Sequence, residues 1–237
     1  VSGTSLAKGN SYVYQQLKQL TEKKLIKKIP TVAPLMESVL FVESCPVPVL
    51  NDEQGEAVKK IIKSIDDNDN KTFLLQGVTG SGKTEVYLRV IEHIKAIGKT
   101  ALVLVPEIAL TPQLGARFIS RFGDDVAIFH SALSSNKRRE VWQDIAEKRV
   151  SIALGARSAL FLPLTEIGVI IVDEEHETSF KQEESPRYNA RDLAIYRAGL
   201  EGGIAVLGSA TPALESKQNA IDNKYSLVNL HHRIGNI

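Results

Sequence analysis

Cys45 is the only cysteine among the 237 residues, which excludes an internal disulfide and any zinc site built from several cysteines. A chain so poor in thiols suits a reducing compartment, and a cytoplasmic location is expected. No apolar run comes near the roughly 20 residues that a membrane-spanning helix requires. The stretch from Val1 to Asn10 is polar and lacks the apolar centre of a signal peptide. A soluble protein without membrane attachment is therefore expected. An excess of one charge is also missing: 29 lysines and arginines face 28 acids, a net charge of +1. Nucleic-acid binding cannot be inferred from the whole and would have to rest on local clusters. Internal repeats and low-complexity tracts are absent. What remains is an ordinary globular balance, 43% apolar and 24% charged, with enough residues for one large domain or a small and a medium one.

Three regions differ in composition. From Ser11 to Leu20, apolar residues recur near helical spacing (Tyr12, Val13, Leu17, Leu20), and the lysine-rich LTEKKLIKKI follows. Such a helix and short extended piece read like the latter part of a winged helix, over residues 1–40. Pro30, Pro34, Pro46 and Pro48 then disfavour helix, which marks residues 41–50 as a linker. From residue 51 to 230, short β-branched runs apolar on both faces (TFLLQ, TALVLVP, VAIFH, VSIALGA, IGVIIVD, GIAVLGSA) alternate with helical patterns. Those patterns run over Asp52–Ile65, Lys83–Ile97, Thr111–Phe122, Ser135–Lys148 and Ala190–Glu201. The alternation predicts an α/β fold, a parallel sheet covered on both sides by helices. LHHRIGNI, over the last residues including 231–237, reads as the start of a further linker.

Gly77-Val78-Thr79-Gly80-Ser81-Gly82-Lys83-Thr84 fits G-x-x-x-x-G-K-[ST] and lies between a strand pattern and a helix pattern. Glycines let such a loop turn its N–H groups onto phosphate oxygens, and the helix start adds positive dipole. Lys83 would reach the β- and γ-phosphates and the Thr84 hydroxyl would ligate magnesium. A glycine-rich turn is the alternative, made less apt by the strand–loop–helix setting. The strand IGVIIVD ends at Asp173, followed by Glu174, Glu175 and His176. An acidic cluster alone reads as a solvated face. At the carboxyl end of a buried parallel strand it lies on the edge where such sheets bind ligands. Asp173 could hold magnesium there, usually through water, and Glu174 could position and deprotonate an attacking water.

DEEH, together with four further segments in order, resembles superfamily 2 helicases. LNDEQ resembles the motif whose glutamine, here Gln54, reads adenine. VLVPEIALTPQ resembles motif Ia, GARSALFLP motif Ib, and LGSATPALES motif III. Within the superfamily the match is to the primosomal replication-restart helicases, from about Leu50 onward. The resemblance implies an ATP- and Mg2+-dependent 3'–5' DNA helicase that binds stalled forks and helps assemble a primosome. Single-stranded and forked DNA, primosome proteins and single-strand-binding proteins would be its partners. It also implies phosphate-backbone contacts by Pro106, Glu107, Thr111 and Gln113 in motif Ia and by Arg157 and Ser158 in motif Ib. For Arg157 a surface ion pair is the alternative.

The stretch ETSFKQEESPRYNAR carries Phe180 and Tyr188 among Lys181, Arg187 and Arg191, and resembles the aromatic-rich loop after motif II in the replication-restart and RecQ helicases. Aromatic faces can stack on bases while cations meet phosphates; packing of both rings against the core is the alternative. His176, if not a satisfied core histidine, would relay the nucleotide state through Ser209 or Thr211. Lys18, Lys23, Lys24, Lys27 and Lys28 form either a solvated face or a duplex-phosphate contact.

The family's zinc-binding cysteines, its N-terminal DNA-binding domain and its second α/β lobe have no counterpart here. The expectation is a fragment with a winged helix and the first motor lobe, zinc belonging outside it. Other readings are a different superfamily 2 translocase, such as a RecG-like fork remodeller or a restriction motor, or a nucleotide-switched DNA-binding regulator. A P-loop kinase is discounted, since no acceptor site is evident.

Overall fold

The structure, a computed structural model, describes residues 47–234. The expected winged-helix segment, its five lysines and residues 41–46 of the expected linker lie outside the described residues, as do residues 235–237.

The sheet has seven strands, all paired in parallel. In chain order they are β1 (Thr72–Gly77), β2 (Thr100–Leu104), β3 (Val126–Phe129), β4 (Ile152–Gly155), β5 (Ile167–Asp173), β8 (Ile204–Ser209) and β9 (Tyr225–Leu230). Two further strands, β6 (Lys181–Gln182) and β7 (Tyr188–Asn189), make a small antiparallel hairpin. The spatial order is β3-β4-β2-β5-β8-β1-β9. Side chains alternate across a strand, and here both sets are covered. On β5, Val169 and Ile171 join one core with Val86, Ile91 and Phe118, whereas Ile170 and Val172 join a second with Leu160, Phe180 and Ala194. Each fully buried aliphatic side chain is worth roughly 1.5–3 kcal/mol, so two cores sharing one sheet give the central strands their stability.

The helices are α1 (Asp52–Asp66), α2 (Lys83–Ala96), α3 (Pro112–Phe122), α4 (Ser135–Ala146), α5 (Ala190–Leu200) and α6 (Leu214–Ile221). Their starts follow local chemistry. The Asn51 side chain accepts from Gln54 N while the Gln54 side chain accepts from Asn51 N, a reciprocal cap. Thr111 accepts from Leu114 N, and Pro112 takes the first position of α3, where no N–H is needed. The six strand runs and five helical patterns read from sequence are all present, with ends that differ by no more than two residues. Three elements had not been expected: α6, β9 and the hairpin.

The irregular stretch after β4 is held from the side by α5. Arg197 donates Nη1 to Leu160 O, and Nη2 to Leu162 O at 3.0 Å and Leu164 O at 2.9 Å. Residues 231–234 are bonded to the lobe. His231 N and His232 N donate to Glu53, and Ile234 N donates to Gly80 O at 2.9 Å.

Candidate nucleotide site and the loops beside it

Strands β5, β8 and β1 lie side by side, and their carboxyl ends carry three of the motifs. Asp173 pairs in register with Gly208, which in turn pairs with Leu75. Neighbouring strands are about 4.8 Å apart, so the acidic turn and the glycine loop face each other across a single strand.

The loop from Gly77 to Thr84 is wound tightly. Gly80 and Gly82 sit at φ +81° and +82°, a region that side chains strain to adopt. A Cβ at Gly77 would lie 2.5 Å from Ser81 Oγ, and one at Gly82 only 2.3 Å from Gln54 Nε2. Val78, Thr79 and Gly80 are exposed, whereas Ser81 and Lys83 are buried. Ser81 Oγ has no hydrogen-bond partner among the described residues; such a group costs about 1–3 kcal/mol and is suited to an arriving oxygen. Lys83 Nζ donates to Gly77 O at 2.9 Å and lies 3.8 Å from Glu174 Oε1. Thr84, half-buried, occupies the second position of α2. A buried ammonium, a tight backbone cradle and an unpartnered hydroxyl make a chemical fit to phosphate.

Asp173 is fixed from inside the fold. Tyr87, one turn beyond Thr84 on α2, donates its hydroxyl to Asp173 Oδ1 at 2.8 Å. The contact passes over Gly208, where a Cβ would lie 1.6 Å from the Tyr87 oxygen. Burial raises the Asp173 pKa above the ordinary aspartate value, offset in part by the Tyr87 hydrogen bond and by Lys83, while nearby Glu174 adds to the rise. Burial, then the Asp173 charge, drives the Tyr87 phenol well above its usual pKa, so it stays a donor. Glu174 turns away from the strand at φ +49° with its side chain about one-third exposed (34%). Asp173, Glu174, Lys83 and Thr84 thus share one end of the sheet.

Gln54 is 2% exposed, and both ends of its amide are engaged: Oε1 accepts from Asn51 N, and Nε2 donates to Ser81 O at 2.8 Å. As placed, it braces the phosphate loop and caps α1; adenine reading is not supported by this orientation. His176 Nδ1 lies 2.8 Å from Ser209 Oγ, which accepts from Thr211 N at 3.0 Å.

The expected DNA contacts divide. Gln113, Ser158 and Glu107 are exposed. Thr111 is engaged as the cap of α3. Arg157 Nη1 donates to Ser179 O at 3.3 Å and to Lys181 O at 2.6 Å, so its side chain ties the motif Ib turn to the loop after motif II. Arg187 is exposed and donates Nε to Glu183 O at 3.0 Å. Phe180 is corrected outright: at 1% exposure it is a core residue, because the three-residue turn Thr178–Phe180 directs its ring into the second core, where no base can stack on it. Arg191 is buried on Glu175 at 3.2 Å and is no surface cation. Tyr188 is half-buried, set edge-on to Phe161 with ring centroids 5.3 Å apart. Phe161 itself is 54% exposed, so this pair, and not Phe180, is the aromatic surface of the loop.

Sequence reasoning overlooked Tyr87, Glu175 and Phe161. Phe161 lay within the motif Ib segment, but among Ala159, Leu160 and Leu162 nothing in the letters marked it as the exposed member. The other two depend on partners far away in sequence.

Comparison with known proteins places the chain in a family. The family model described as type III restriction enzyme, res subunit, matches residues 48–213. The chain is similar to replication restart protein PriA of Bacillus subtilis, 48% identical over 220 residues, covering 92% of this chain and 27% of that protein. PriA of Chlamydia trachomatis is 46% identical over 187 residues, covering 78% and 25%. The chain thus spans about a quarter of the length of the curated relatives it matches. Among solved structures, RecG bound to a three-way DNA junction superposes with a TM-score of 0.60 at 20% identity, covering 94% of this chain and 29% of that one. The UvsW helicase of bacteriophage T4 gives 0.53 at 14% identity, covering 92% and 77%. At these identities the two structures speak for the fold alone.

Proposed function

Since the chain belongs to the family described as type III restriction enzyme, res subunit, and is PriA-like in sequence, we propose that it is the nucleotide-binding lobe of an ATP-driven 3'–5' DNA helicase of replication restart. The observation that carries this reading is the 3.8 Å approach of Lys83 Nζ to Glu174 Oε1 beside an Asp173 fixed by Tyr87. An ammonium and two carboxylates beside one phosphate loop support a phosphate contact for Lys83, a metal contact for Asp173 and a proton-accepting role for Glu174.

The work of each residue follows from its place. Backbone N–H groups of Thr79, Gly80, Gly82, Lys83 and Thr84 take the phosphate oxygens, and Lys83 exchanges Gly77 O and Glu174 for the β- and γ-phosphates. Thr84 and Asp173 would hold Mg2+, which supplies positive charge against the phosphate oxygens. Glu174, relieved of Lys83, orients a water and accepts its proton. His176, through Ser209 and Thr211, carries the state of that water site to the turn after β8. Gln113, Ser158, Arg187, Tyr188 and Phe161 make up a surface for single-stranded or forked DNA, reached by phosphate contacts and stacking. Primosome proteins and single-strand-binding proteins are the proposed partners, and a cytoplasmic setting goes with them. No helix among the described residues is long and apolar enough to cross a membrane.

Hydrolysis of ATP by the whole protein, measured with single strands of unrelated sequence, tests the reading. A helicase motor is stimulated by all of them alike. Stimulation by one sequence only would replace it with a nucleotide-switched regulator.

A further inference from the structure

Two segments far apart in sequence hold the phosphate loop from its outer side. Gln54 Nε2 donates to Ser81 O at 2.8 Å, and Ile234 N donates to Gly80 O at 2.9 Å. The Ile234 side chain also lies on the loop, since a Cβ at Gly82 would be 2.4 Å from its Cδ1. A trans peptide points its C=O and N–H in opposite directions. A donor outside the loop on Ser81 O therefore turns the Gly82 N–H toward the cradle.

Consecutive residues at the start of α1 serve the two halves of this clasp. Gln54 holds the loop, and Glu53 holds the chain that follows β9. Glu53 Oε2 accepts from His231 N at 2.9 Å and from His232 N at 3.2 Å, while Oε1 lies 2.9 Å from His232 Nδ1. The helix beneath is a firm base, with Ala57, Val58 and Ile61 buried in the core. His231, His232, Arg233 and Ile234 are all exposed. A stretch with so little apolar burial opens easily, and its polar anchors decide where it lies.

We propose that Glu53 is a positioning residue of the nucleotide site, which holds residues 231–232 so that Ile234 braces Gly80 and Gly82 and keeps the loop shaped for a nucleoside di- or triphosphate. This rests on the helicase reading above and concerns its nucleotide-binding step alone. A loop already in its binding shape gives up less freedom when the ligand arrives. The contribution of Glu53 therefore falls on affinity. Bond breaking is left to Lys83, Asp173 and Glu174, whose side chains the clasp does not hold.

The test uses the whole protein as wild type, Glu53→Ala, Glu53→Gln, Ile234→Ala and the double variant Glu53→Ala/Ile234→Ala. Ile234 is 58% exposed, so its truncation leaves the fold intact and serves where Glu53→Ala folds poorly. Binding of ADP and of a non-hydrolysable ATP analogue is titrated, and single-turnover hydrolysis is followed at saturating ATP. The Kd rises at least about fivefold in Glu53→Ala and in Ile234→Ala, the lower end of ordinary coupling between sites. Glutamine keeps an oxygen for both backbone N–H groups, so Glu53→Gln stays within about twofold of wild type, the scatter of independent sites. Both residues act through one segment, so the double variant binds no more weakly than the weaker single one. The saturated rate is unchanged throughout. An unchanged Kd in Glu53→Ala overturns the proposal, as does a Glu53→Gln protein as weak as Glu53→Ala, or losses that multiply in the double variant. A saturated rate that falls together with affinity, the mark of a generally loosened lobe, overturns it too. Wild type that binds neither nucleotide overturns the helicase reading and this one with it, whereas wild type and variants that bind equally well sink only the clasp.

Discussion

Tyr87 reaches Asp173 through the space left by Gly208, with 2.8 Å between hydroxyl and carboxylate. A helix packed on the face of the sheet thereby steadies the residue at the carboxyl end of β5. Tyr87→Phe keeps the ring and removes this bond alone. Partners of metal-binding groups typically contribute about 10- to 100-fold in metal affinity or activity. The expected outcome is a raised Mg2+ requirement, about tenfold, with the fold intact. Titration of Mg2+ in a nucleotide-binding assay checks it; an unchanged midpoint would disprove the role.

Gly208→Ala tests the same contact from the other side. Its methyl group would collide with the Tyr87 oxygen, so Tyr87 must withdraw. Overpacking of this kind costs about 1–3 kcal/mol. Denaturant melts should show that loss, and Tyr87→Phe should recover part of it. Additive losses in the double variant would count against the explanation.

Lys83→Ala and Glu174→Gln separate binding from chemistry. The first removes the ammonium and is expected to abolish measurable nucleotide affinity. The second keeps shape but cannot accept a proton, and general-base removal costs about 10²- to 10⁴-fold. ATP is then held uncleaved. Fluorescent-nucleotide binding together with single-turnover hydrolysis distinguishes the two; an active Glu174→Gln protein would reassign the base.

Phe180 and Tyr188 should part company. Phe180→Ala empties a core position, at a cost of about 3–5 kcal/mol, seen as a lowered melting temperature. Tyr188→Ala costs less stability, about 0.5–1.5 kcal/mol for the lost aromatic pair, and weakens single-stranded DNA binding by about 1–3 kcal/mol, the value of one stacked base. Loss of DNA affinity on changing Tyr188 only in step with stability would argue against stacking.

Asp125 offers a check by pH. Burial works to raise its pKa, but Lys95 at 2.8 Å and the Ser151 N–H and hydroxyl, each at 2.7 Å, overcome it and lower the value below the ordinary 3.8. A depressed carboxylate pKa contributes stability that is present above the unfolded value and is lost as pH falls through the folded one. Asp125→Asn should cost about 1–2 kcal/mol at neutral pH, the scale of charge-assisted hydrogen bonds at a partly exposed site. The gap between variant and wild type should close below about pH 3.8. A gap independent of pH would show that shape, not charge, is what matters there.

The central strands were legible because burial on both faces leaves a plain mark: IGVIIVD has no polar position before its last residue. β9 left no such mark. YSLVNL mixes Ser226 and Asn229 into a sheet edge whose outer side needs less covering. α6 is equally quiet, since its large apolar residues Leu214 and Ile221 face solvent. The phosphate loop could be read because its chemistry is contiguous. Tyr87 with Asp173, 86 residues apart, and Glu175 with Ser216, 41 apart, could not. In DEEH the three carboxylates look alike as letters; backbone direction alone sends one to the site edge, one outward and one into the interior.

Arg197 has a consequence for motion. By supplying donors to Leu160, Leu162 and Leu164, one guanidinium takes the place of a neighbouring strand for a backbone stretch that has no ladder of its own. That stretch, which also packs on β2 and β4, carries Phe161, while Tyr188 leads directly into α5. A shift of α5 would therefore act on both rings of the aromatic pair, on Phe161 through the Arg197 bonds and on Tyr188 through the chain that enters the helix.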